Sequence, residues 1–126
     1  MSVAATRIHH LNFVVRDLDA ACSRFETLLG VEPFTRIDHP PRGSIIARTR
    51  VGESWLVLVC PQDPESVPGR FLREHGEGFF LLSVGSDTLP DDAERREGID
   101  DWSVADVGEA WGAILQLTDD SARQPR

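Results

Sequence analysis

The sequence contains no lysine and no tyrosine, a single methionine and only two cysteines. All 13 basic residues are therefore arginine. Without lysine there is no Schiff-base nucleophile and no P-loop ammonium, and without tyrosine no phenolic acid. Proton transfer falls to His, Asp, Glu or Cys. Cys22 and Cys60 are too few for a disulfide framework. Cys22 falls on an apolar helix face, where it reads as core. No apolar run approaches the roughly 18 residues of a membrane span. The N-terminus, MSVAATRIHH, has no apolar signal core, so the chain is expected in the cytoplasm and away from membranes. Positive charge is also scarce: 13 basic against 21 acidic residues leave a net charge of −8. That argues against nucleic acid as a partner, because phosphate binding needs basic patches. It tolerates, or steers, a cationic one. Nucleophile-elbow, dinucleotide-binding and zinc motifs are absent.

What is present suits one domain with one core, 126 residues long and 40% hydrophobic. IHHLNFVV at 8–15 alternates as a strand, with Leu11, Phe13 and Val15 on one face and Ile8, His10, Asn12 and Val14 on the other. Asp17 caps a helix, DLDAACSRFETLLG, that Gly30 stops. Its apolar stripe is Leu18, Ala21, Cys22, Phe25, Leu28 and Leu29. The helix is expected on the Leu11/Phe13/Val15 face, leaving His10 and Asn12 turned toward another surface or a cavity. Strands follow at 32–37, 43–51 and 54–60, with a tight turn at Gly52-Glu53. Residues 61–78 read as a linker with a short helix at 69–75. A strand at 79–84, a polar stretch at 102–107 and a last strand GAILQLT complete a weaker copy of the same pattern. The helix candidate at 91–97 has almost no apolar stripe and reads as one turn or a loop.

IHHLNFVVRDLDAACSRFETLLG, FLREHGEG and WGAILQLTD together resemble the vicinal oxygen chelate superfamily of glyoxalases, bleomycin-resistance proteins and dioxygenases. FLREHGEG looks most like the methylmalonyl-CoA epimerase branch. The resemblance implies an α+β fold, two βαβββ modules forming a cup-shaped mixed sheet, the second abbreviated. It divides the chain into a single domain at 1–120 (module one 7–60, linker 61–78, module two 79–119) and a flexible tail at 121–126. It also implies a homodimer. Metal-dependent members place one ligand on each of four strands, and those positions fall on His10, Val57, Leu81 and Gln116. Two are aliphatic, and a divalent ion needs about four N, O or S donors. No metal and no other cofactor is therefore expected.

Alternation predicts that His10, Asn12, Val57, Phe79, Leu81, Ser83, Gln116 and Thr118 face into the cup, with Trp55 near its rim. A mostly apolar cavity with a few polar groups suits a small-molecule ligand. Trp102 and Trp111 either form a stacking wall or only cover a thin core. Arg48 and Arg50 share a strand face, as an anion grip or a solvated surface. His39 and Arg42 flank a double proline at a possible rim, and the acidic run Asp91, Asp92, Glu94 and Glu97 reads as solvated. Two functions fit. In one, a metal-independent isomerase or lyase acts on a small carbonyl compound or acyl thioester, with His10 as catalytic general base and Asn12 and Gln116 orienting the substrate. In the other, a non-catalytic protein sequesters a drug or metabolite, and Trp111 contributes to its site.

Overall fold

The computed structural model describes residues 3–39, 43–99 and 102–121. The chain runs β1 (Ala5–Val14), α1 (Leu18–Leu29), β2 (Thr35–His39), β3 (Ser44–Val51), β4 (Ser54–Pro61), α2 (Val67–His75), β5 (Gly78–Ser86), β6 (Arg96–Glu97), β7 (Ser103–Ala110) and β8 (Ala113–Asp119). All eight strands form one curled sheet in the order β2-β3-β4-β1-β5-β8-β7-β6. Each half pairs its first and last strands in parallel, β1 with β4 and β5 with β8. The halves join through the antiparallel β1–β5 contact. This is the α+β cup of two βαβββ-type units, the second without a helix. Among the described residues no helix is long and apolar enough to cross a membrane.

Local chemistry sets the helices. The Asp17 carboxylate accepts from Ala20 N at 3.0 Å, and Gly30 ends α1 in the left-handed region at φ 66°. At α2 the Ser66 hydroxyl accepts from Gly69 N at 3.1 Å. Period-2 alternation then divides the strands between two cores. On the outer side Val15, Leu18, Ala47 and Leu58 pack with Phe13, Ala21, Cys22 and Phe25, so α1 covers the face expected of it. On the cup side Val14, Ile46, Val57, Val59, Phe80 and Leu81 pack together with Ile99.

Several details depart from the sequence expectation. Leu28 and Leu29 are exposed and take no part in the cluster that Leu18, Ala21, Cys22 and Phe25 form on the sheet. Ser103–Ala110 is a full strand, held by pairing to β8 although its outer half is polar. β2 begins at Thr35, three residues later than read. Residues 87–95 form turns with no helix, and buried Leu89, packed with Ala93 on Leu117, covers the sheet there. Residues 40–42, with Arg42, and 122–126 of the expected tail lie outside the described residues, as does the His39 side chain.

Candidate functional site

The concave face holds a cavity of about 520 Å³. Two rungs of the sheet make its floor. In one, His10 lies between Trp55 and Ser83, Ser83 pairs with Gln116, and Gln116 with Asp106. In the next, Asn12 lies between Val57 and Leu81, and Leu81 pairs with Ile114. Ser44 and the first turn of α2 line it from the first half of the fold, and Arg96, Ile99 and Trp102 from the second.

His10, Asn12, Val57, Leu81 and Gln116 all line this cavity. Ser83 and Thr118 lie beneath it, buried, their hydroxyls hydrogen-bonded to each other at 2.7 Å. Trp55 sits behind the wall under the Arg48 guanidinium, 4.3 Å from its ring centre. Two expectations need correction. Phe79 points to the opposite face and packs on Phe13, because β5 slips register between Phe79 and Leu81 and turns Phe80 inward beside Leu81. Trp111 stands fully exposed at the β7–β8 turn with φ 50°, away from the cup. Of the two arginines on β3, Arg48 lies over both Trp55 and Trp102, whereas Arg50 is exposed and reaches only Trp55, 5.0 Å from its ring centre.

Alternation missed His9. A bulge between Ile8 and His10 leaves Ile8 exposed and buries both histidines. Their Nδ1 atoms are 2.9 Å apart, so one ring donates and the other accepts. The His10 ring stacks on Trp102 at 4.8 Å, and His9 meets the same indole edge-on at 4.6 Å. Burial pushes the His10 pKa down to about 3, the His9 charge adds to this, and Gln116 opposes it. Burial first, then Arg7, lowers His9 to about 4. Both are neutral at pH 7. Asp106 and Arg96 were also missed. Arg96 grips the Asp106 carboxylate with two bonds at 2.8 and 3.0 Å, and Asp106 accepts from Gln116 Nε2 at 3.0 Å. The doubled residues in IHHLNF and GFFLLS are the signal for the two bulges, since a doublet of similar residues breaks strict alternation.

The four positions where relatives keep metal ligands do not fit a metal ion. Val57 and Leu81 are packed in the core and offer no donor, leaving one imidazole and one amide. Among the described residues no group of three or more His, Cys, Asp or Glu side chains converges.

A family model described as the glyoxalase/bleomycin resistance protein/dioxygenase superfamily matches residues 9–111. No curated protein matches. Among solved structures, a variant of the Streptomyces coelicolor methylmalonyl-CoA epimerase in complex with 2-nitronate-propionyl-CoA is similar with TM-score 0.80 and 22% identity. The match covers 91% of this chain and 97% of that one. The methylmalonyl-CoA epimerase of Mycobacterium tuberculosis is similar with TM-score 0.79 and 20% identity, over 94% and 90% of the two chains. A hypothetical protein from Bacillus halodurans has TM-score 0.80 at 20% identity, over 95% and 98%.

Proposed function

The chain belongs to the glyoxalase/bleomycin resistance protein/dioxygenase superfamily, and from that premise we propose that its cup binds a small molecule without a metal ion and holds it rather than transforming it. The observation that carries this reading is His10. Among the described residues it is the one imidazole on the cavity wall, yet its Nδ1 is engaged by His9 and its pKa lies near 3. A general base works best with a pKa near the operating pH. His10 is several units too weak, while its neutral ring and the Trp102 stack make a good contact surface. The apolar walls of Val57, Leu81 and Ile46 supply the rest of the binding energy. A thermal screen of short acyl thioesters, keto acids and cationic aromatic drugs tests it. A compound at roughly 100 times its dissociation constant adds about 2.7 kcal/mol, a shift of several degrees. Binding without turnover is the expected result. A screen in which nothing shifts the melting temperature refutes it.

A second reading keeps His10 as the base of a metal-independent isomerase or lyase. It is favoured by the CoA-ester analogue in the Streptomyces coelicolor structure and by Asn12 and Gln116 flanking His10. Exchange of the α-proton of propionyl-CoA in D2O, lost in His10→Ala, would establish it over simple binding.

A further inference from the structure

His10, Ser83 and Gln116 stand on one rung of the sheet, on β1, β5 and β8. Ser83 between them is small, and its hydroxyl is spent on Thr118 at 2.7 Å. The longer side chains of His10 and Gln116 meet above it, and Gln116 is a side-chain hydrogen-bond partner of the His10 ring. Both ends of this contact are tied to further groups. On one side Gln116 Nε2 donates to Asp106 Oδ1 at 3.0 Å, and Arg96 holds the same carboxylate through bonds of 2.8 and 3.0 Å. On the other, His10 Nδ1 lies 2.9 Å from His9 Nδ1. A single line of polar groups thus runs from Arg96 through Asp106, Gln116 and His10 to His9.

Only one order of protons satisfies the whole line. A carboxylate accepts hydrogen bonds and donates none. Gln116 therefore turns its NH2 to Asp106 and keeps its oxygen, Oε1, for His10. That oxygen is buried, and no amide or hydroxyl among the described residues donates to it. A buried acceptor left without a donor is costly. Within the line the donor is His10 Nε2–H, because Nδ1 is taken by His9. A neutral imidazole has one N–H and one lone pair, so His10 then accepts at Nδ1 and His9 carries its own proton on Nδ1. We propose that Asp106, held by Arg96, is a positioning residue that fixes the tautomers of both histidines through Gln116, His10 as Nε2–H and His9 as Nδ1–H. The lone pair of His10 then points at His9 instead of into the cup, and a ligand meets a neutral ring with no basic nitrogen to offer. This deepens the reading that the cup holds its ligand without transforming it, and for its functional meaning it rests on that reading.

Nitrogen-15 NMR of the histidine rings at pH 7 reads the tautomers directly, because protonated and bare ring nitrogens resonate far apart. The wild type is expected to show the proton on Nε2 of His10 and on Nδ1 of His9, the second being the form that a histidine side chain free in water disfavours. Asp106→Ala removes the terminal acceptor and leaves the Gln116 amide free to turn, so both rings should become mixtures of tautomers. A loss of stability alone would not produce that change. A proton on Nδ1 of His10 or on Nε2 of His9 in the wild type overturns the proposal even where the variant fails to fold. So does an unchanged pair of tautomers in a folded Asp106→Ala protein. Reversed tautomers would refute this proposal while any bound ligand stands, and a screen without a ligand would refute the binding reading while the tautomer assignment stands.

Discussion

The two histidines of β1 carry the most consequential chemistry at the scale of single residues. Their folded pKa values, about 4 for His9 and about 3 for His10, lie below the ordinary 6.5. The unfolded chain takes up these protons near pH 6.5, and the folded chain holds out until much lower pH. Their contribution to stability is therefore complete above pH 6.5 and is lost as pH falls toward 4 and then 3. With two groups the slope approaches about 2.7 kcal/mol per pH unit. Urea unfolding between pH 7 and 5 should show a steep loss of stability, and the double variant His9→Gln/His10→Gln should flatten it. The same slope in both proteins would assign the acid lability to carboxylates instead. The place of His10 was readable because alternation puts it opposite the helix-covered face. His9 was not, because alternation sends it outward and only the bulge brings it in. Gln116 was likewise readable as a position, but its orientation depends on Asp106 and Arg96, which lie in a stretch whose strand character the sequence conceals.

At the scale of elements, what could be read was whatever local chemistry decides. The Asp17 cap, the Gly30 stop and the apolar β4 all form where their residues predict. What could not be read was whatever a partner strand decides. β7 owes its conformation to β8, and Phe80 faces inward because β5 must accommodate a slip against β1. One junction ties the two halves together beyond strand pairing. The buried Asp120 accepts from Thr6 Oγ1 at 2.7 Å and from Arg7 at 3.0 Å through each of two nitrogens. Gly85 on β5 lies directly beneath. A Cβ there would sit 2.4 Å from Asp120 Oδ2 and 2.6 Å from Thr6 Oγ1. Gly85→Ala should therefore break this clasp and cost about 2 kcal/mol or more. The measurement is the urea midpoint, lowered with an unchanged slope; a midpoint like that of wild type would mean that the clasp moves freely.

For the molecule as a whole, the sheet closes only halfway and ends at β2 and β6. Open edges need cover, and Leu28, Leu29 and Trp111 leave apolar surface in water at 64%, 62% and 102% exposure. We expect a homodimer, and sedimentation at concentrations where only monomer is found would refute it. The metal question also belongs to this scale, because a bound ion stabilises the entire fold. An ion held by the folded chain alone adds stability in proportion to the logarithm of its excess over its dissociation constant. At about 100-fold excess that is about 2.7 kcal/mol, so stripping it would lower the melting temperature by several degrees. The cup offers His10 and the Gln116 amide where four donors are needed, and its other two positions are filled by Val57 and Leu81. The purified protein should accordingly hold less than stoichiometric Zn, Ni, Co, Mn or Fe, and a chelator should leave its melting curve in place. One ion per chain, with a chelator-sensitive melting temperature, would mean that other side chains reach into the cup, and the metal-free reading would fall.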